Sequence, residues 1–100
     1  MIHEVIVRRL AENHLAEAYN WYERQSAGLG ASFLHRYAEA QDLIAEFPAS
    51  APVVFMDYRR VLLRRFPYGV FYVIESDLVV VAAVYHLARN PQVIQASLPP

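Results

Sequence analysis

The sequence predicts an α+β domain of order βααβββ, a helical hairpin packed on one face of a small antiparallel sheet. Three observations lead there. Apolar residues recur at helical spacing between Ala11 and Phe47, interrupted once by Ser26-Ala27-Gly28-Leu29-Gly30. Pro48 then stops the helical region, because proline lacks an N–H and pushes its predecessor out of the α region. From Val53 onward β-branched and aromatic residues dominate, punctuated by turn-forming Pro67-Tyr68-Gly69 and Ser76-Asp77.

Each element follows from its local pattern. Ile2 to Arg8 is short and β-branched, so it reads as a strand. Ala11 to Gln25 has helical period: Ala11, Leu15, Ala18 and Tyr22 share one face, and Tyr19 widens it. Glu12 and Glu17 lie towards its start and Arg24 in its last turn, which suits the helix dipole. The glycine-bearing break is short, so the next helix turns back antiparallel. That helix covers about Leu29 to Phe47, with Phe33, Tyr37, Ala40, Ile44 and Phe47 as its apolar stripe. Trp21 and Tyr22 read as packing residues, Trp21 at the edge of the first stripe near Phe33. Val53 to Phe66 holds one long strand or two short ones, with Asp57 as the weak point. Val70 to Glu75 and Leu78 to His86 complete a meander, and the first strand joins one of its edges. Residues 92–100 are expected to form a short, partly disordered tail.

Composition narrows the function. The chain has 100 residues, and 56% are hydrophobic, above the usual ~45–50%. The excess fits a very apolar core, a groove meant for a partner, or both. No cysteine is present, so there is no disulfide framework or thiolate metal site. His3, His14, His35 and His86 show no ligand spacing, and neither a metal nor another cofactor is expected. No apolar run approaches the roughly 18 residues of a membrane span, so a soluble cytoplasmic protein without membrane association is expected. The net charge is −1, split between an acidic first half and a basic second half. This excludes a uniformly basic nucleic-acid binder, and no direct DNA binding by the chain alone is expected. Every basic residue is arginine, the side chain suited to bidentate contacts with carboxylate or phosphate.

The sheet face away from the helices is where function is sought. Alternation along a strand puts Tyr58, Arg60, Leu62, Arg64 and Phe66 on one face and Arg59, Val61, Leu63 and Arg65 on the other. The first set forms an aromatic–arginine stripe able to stack on bases, pair with phosphates or grip an acidic, apolar helix. The same arginines also suit an edge strand protected from aggregation. His86 and Arg89 follow the last strand and are the weak candidates for catalysis. A general base needs an orienting partner, and Glu4, Asp57 and Glu75 are the carboxylates considered for that role.

Several short motifs, in order, resemble the RelE/ParE superfamily of small bacterial toxins, and within it the ParE branch. They are Ala11-x-x-His14-Leu15-x-Glu17-Ala18-x-x-Trp21-Tyr22-Glu23, Gly28-Leu29-Gly30-x-x-Phe33-Leu34, Arg59-Arg60, Phe66-Pro67-Tyr68, Phe71-Tyr72 and Ala83-Val84-x-His86-x-x-Arg89-x-Pro91. The resemblance runs from about Val5 to Pro91 and makes residues 1–91 a single toxin domain. It implies the toxin of a type II toxin–antitoxin (plasmid-stabilisation-like) pair, held silent in a hetero-oligomer with a cognate antitoxin. ParE-type toxins act on DNA gyrase; RelE-type toxins cut messenger RNA on the ribosome. Gly69 stands where the cutting branch commonly has an arginine, and the chain has no lysine, so a non-enzymatic gyrase inhibitor is favoured. A ribosome-dependent endoribonuclease and an inactive antitoxin-binding relative are the alternatives. Tyr58, Arg60, Leu62, Arg64, Phe66 and Arg89 are the expected contacts to target or antitoxin. His14 replaces the aspartate of many relatives, and Gln92 to Ser97 replaces a tail that often carries tryptophan and a terminal arginine.

Overall fold

The computed structural model of the chain describes residues 2–100. Strand β1 (Glu4–Val7) is followed at once by helix α1 (Arg9–Gln25). Ala11 and Ala18 are fully buried on the inner face of α1. Small side chains at those points let the helix sit close to the sheet. The turn into α2 (Leu29–Glu46) depends on two glycines. Gly28 is left-handed (φ 89°), a conformation glycine adopts without a Cβ clash. At Gly30 a Cβ would lie 2.7 Å from the Tyr19 carbonyl oxygen, so only glycine lets the helices touch there. Gly28 has no side chain to cap α2. Glu23 supplies the cap: its carboxylate accepts the Gly28 N–H at 3.0 Å and the Gly30 N–H at 2.9 Å. The Trp21-Tyr22-Glu23 and Gly28-Leu29-Gly30 motifs are therefore two halves of one corner.

The sheet order is β1-β5-β4-β3-β2, with β2 (Val53–Phe55), β3 (Tyr58–Leu62), β4 (Tyr68–Glu75) and β5 (Leu78–His86). The chain breaks between β2 and β3 at Met56-Asp57, where Met56 takes φ 51°. Strands β2 to β5 are antiparallel neighbours, whereas β1 lies parallel to β5, so the sheet is mixed. A bulge separates the pairs Phe71–Ala83 and Tyr72–Val81. It shifts the alternation of β5: Val79, Val81 and Val84 face the helices, while Ala82, Ala83 and Tyr85 join the opposite face.

Two apolar clusters result. Phe33 and Ile44 of α2 meet Val70, Tyr72 and Val81 between hairpin and sheet. Phe47, expected as the last member of that stripe, is 54% exposed. The helix ends one residue earlier, and Phe47 turns out of helical conformation (φ −129°) ahead of Pro48.

The second cluster lies on the other sheet face, and the chain's end covers part of it. Residues 91–97 form helix α3 (Pro91–Ser97) where a partly disordered tail was expected. The Asn90 side chain accepts the Gln92 N–H at 2.8 Å, and Pro91 fills the first helical position, where its missing N–H costs nothing. Ile94 and Leu98 then bury against Tyr58, Phe71 and Tyr85. The Tyr85 hydroxyl donates to the Ser97 hydroxyl at 2.8 Å, and the Tyr58 hydroxyl to the Pro99 carbonyl. Burying an aliphatic side chain contributes up to about 1.5–3 kcal/mol, enough for two to hold a short helix in place.

Candidate functional site

The structure divides the residues that strand alternation groups together. Tyr58, Arg60 and Leu62 do share the face away from the hairpin, but differently: Tyr58 is buried beneath the chain's end, Arg60 is half-buried and Leu62 is exposed. Arg64 and Phe66 do not join them. Strand β3 stops at Leu62, and Arg65 takes a left-handed φ of 69°, so the alternation lapses. Phe66 lies on the helix side, edge-on to Tyr22 at 4.9 Å and to Phe33 at 5.4 Å. Arg64 is exposed and close enough to Glu39 of α2 to help lower its pKa, after the larger effect of the Arg36 hydrogen bond. Arg59, on the helix side as expected, donates to the Ala49 and Ala51 carbonyls at 3.1 and 2.7 Å.

Two hollows open at the end of the sheet, on either side of Tyr85, His86 and Arg89. The larger, about 600 Å³, lies between α1 and the end of β5. Trp21, His14, Glu17 and Tyr68 contribute its walls. Trp21, expected as a packing residue, is half exposed and meets the Tyr22 ring edge-on at 5.0 Å. The smaller hollow, about 130 Å³, lies between α3 and the sheet face that carries Arg60, Phe71 and Leu87.

His14 closes a gap that the topology creates. Strand β1 ends at Val7, and its last backbone bond to β5 is from Arg8 N–H to the Val81 carbonyl. Beyond that point the edge of β5 has no neighbouring strand. The Val84 N–H is taken instead by Nδ1 of His14, at 3.1 Å. The His14 ring also lies against Tyr85, 4.4 Å between centroids. An acceptor is what this position requires, and an aspartate would also provide one. Burial holds the His14 pKa below its ordinary value, and Arg89 lowers it further, against an opposing pull from Glu17.

His86 and Arg89 stand at the crest between the hollows. Nδ1 of His86 accepts the Ala88 N–H at 3.0 Å, and Tyr68 lies edge-on at 5.2 Å. The neutral ring then carries its proton on Nε2, so its outward nitrogen donates rather than accepts. The Arg89 guanidinium lies over the Tyr85 ring, 5.8 Å from its centroid. Glu75, considered as a partner for His86, pairs instead with Arg8 at 3.5 Å, at the far end of the strands. Among the described residues no cluster of three or more acids and histidines converges as a metal site would require. Nor, among those residues, is any helix long and apolar enough to cross a membrane.

Gly69 marks the floor of this region. A Cβ there would lie 2.9 Å from Cδ of Arg60, so the arginine stem rests directly over the glycine. Sequence reasoning reached Arg60, His86 and Arg89 but missed Trp21, Tyr85 and the part α3 plays. Asn90-Pro91, a capping residue before a proline suited to a first helical turn, was the available signal for α3.

Solved structures share this architecture. A chain of the chromosomal ParDE toxin–antitoxin system from P. aeruginosa superposes with a TM-score of 0.77 at 13% identity, covering 86% of this chain and 97% of that one. A mutant of the E. coli toxin RelE in the free state superposes at 0.57 with 14% identity, covering 96% and 95%. Identities this low speak for the fold alone. No curated protein matches the chain by sequence. A family model described as the ParE toxin of type II toxin–antitoxin systems, parDE, matches residues 5–91. That span takes in the helical hairpin, strands β2 to β5, nearly all of β1 and the His86–Arg89 crest, and the chain therefore belongs to the ParE toxin family.

Proposed function

We propose that this chain is a toxin that inhibits DNA gyrase by binding it and is neutralised by a cognate antitoxin in a cytoplasmic hetero-oligomer. The observation that carries the non-enzymatic reading is the state of His86. Its Nδ1 is engaged by the backbone of its own turn, and among the described residues no carboxylate orients it, so the ring offers no base toward either hollow. Gly69 adds to this, since it brings no side chain where the cutting branch commonly places an arginine. A missing charged contact to a transition-state phosphate costs ~10²–10³ in rate. Arg60 and Arg89 then serve as contacts to a protein surface, with Leu62 as an exposed apolar neighbour. The two hollows and the apolar excess of the chain support an antitoxin that folds over the toxin as it binds.

One observation favours a second reading. Arg60 and Arg89 line one small cleft beside His86, and two guanidiniums gathered in that way also suit the phosphate of a messenger RNA. Two assays separate the readings: gyrase supercoiling with purified protein, and primer extension on messages from cells that express it. Loss of supercoiling with intact messages is the expected result. Codon-positioned cleavage with normal supercoiling would promote the endoribonuclease, and silence in both with intact antitoxin binding would mark an inactive relative.

A further inference from the structure

The cleft under α3 joins an apolar floor to unpaired positive charge. Phe71 and Leu98 lie beneath, both almost fully buried. Arg60 and Arg89 stand at the rim. The ion pairs among the described residues are Arg8–Glu75, His35–Glu39 and Arg36–Glu39. Neither Arg60 nor Arg89 takes part in one, and neither donates a side-chain hydrogen bond to a described residue, although the neighbouring Arg59 donates two to carbonyls. Arg60 is nevertheless not free to wander: its stem lies over Gly69, with Leu87 on the same side. Arg89 is held over Tyr85. These are two positioned guanidiniums that pair with no acidic side chain among the described residues.

We infer that this cleft is a built receptor for one side-chain pair of an acidic peptide: an apolar residue enters the cleft while an adjacent carboxylate is received by Arg60 and Arg89. The size argues for a side chain. At about 130 Å³ the cleft is well below the ~300–1,000 Å³ of a drug-sized ligand site. The floor argues for an apolar anchor, and the rim for a carboxylate held by charge-assisted hydrogen bonds. Charge argues against a nucleic acid, because a chain of net charge −1 without lysine gains little from the counterion release that drives such binding. The inference rests on the antitoxin reading only for which protein supplies the segment.

The probe is a capped Leu-Glu-Leu-Glu tetrapeptide, with Leu-Gln-Leu-Gln as its neutral isostere. Binding to the full chain is followed by NMR at the arginine Nε–Hε groups and the Ile94 and Leu98 methyls. The glutamate peptide should shift the Arg60, Arg89 and Leu98 signals and bind about tenfold or more tightly than the glutamine peptide. Arg60→Gln and Arg89→Gln should each remove that preference while leaving the glutamine peptide unaffected. Arg24→Gln, in the last turn of α1 and outside the cleft's lining, should change neither. Equal affinity for the two peptides would overturn the inference, as would shifts confined to the Trp21 side. Tighter binding of oligouridylate that depends on Arg60 and Arg89 would assign the cleft to RNA instead. A chain that leaves gyrase untouched yet discriminates the two peptides would separate failure of the toxin reading from failure of this one.

Discussion

His14 shows how much one acceptor atom does in this fold. Its Nδ1 can accept the Val84 N–H only while the ring is neutral. The folded pKa is lowered, first by burial and then by Arg89, so the neutral ring contributes stability above the unfolded value near 6.5. That contribution is lost as pH falls from there through the folded pKa. Glu17 from α1 opposes the loss, while Arg89 reinforces it. Melting temperature should therefore decline from pH 7 to 5.5, and His14→Asn, which keeps an acceptor without titrating, should flatten that slope. Equal slopes in parallel thermal melts would show that His14 is not the group responsible. Phe33 is a simpler case. It is fully buried and stacks on Tyr22 at 5.5 Å. Phe33→Ala should cost roughly 3–5 kcal/mol in a denaturant melt. That this residue faces the core was legible from helical spacing alone. The faces of Arg64 and Phe66 were not, because alternation holds only while the strand lasts. The left-handed turn at Arg65 leaves no mark in a sequence that has arginine, not glycine, at that position.

Among the elements, the helical hairpin was read almost residue for residue, since its periodicity, its glycine corner and Pro48 agree. The corner can be tested at two points. Gly30→Ala would drive a Cβ against the Tyr19 backbone, which cannot move as a side-chain tip can, and should cost about 1–3 kcal/mol. Glu23→Ala leaves the first N–H groups of α2 without their acceptor and should cost about 1 kcal/mol. Both are read from chemical denaturation. Helix α3 was missed because seven residues carry too little periodicity to stand out, and its stability comes from the sheet beneath it. Removing residues 91–100 should uncover Tyr58, Phe71 and Tyr85, lower the melting temperature and raise binding of a hydrophobic dye. Unchanged dye binding would mean that α3 protects nothing.

For the whole molecule, fold class and family were legible and the function-bearing geometry only partly so. Arg60 and Arg89 come from opposite sides of the β4–β5 hairpin, and no spacing rule places them at one cleft. The partner should also act on the molecule as a whole. An antitoxin present at about 100 times its dissociation constant adds about 2.7 kcal/mol of stability. Co-expression with the neighbouring gene's product should therefore yield a complex that melts at a higher temperature than the toxin alone. Recovery of two unassociated proteins with unshifted melts would remove that gene product as the partner.

The parallel pairing of β1 with β5 also sets a clock. Glu4 lies beside Leu78 and Val7 beside Val81, so the first strand made must wait for the last. At ~5–20 residues per second, the wait on the ribosome is roughly 4–15 s. During that time the helical hairpin, built from local contacts, can already form. Strand β1 meanwhile keeps its edge unpaired. The crest of Tyr85, His86 and Arg89 is synthesised after the strand segment that β1 must find. A nascent chain thus has its helices long before it has the surface through which the finished protein would meet a target or an antitoxin.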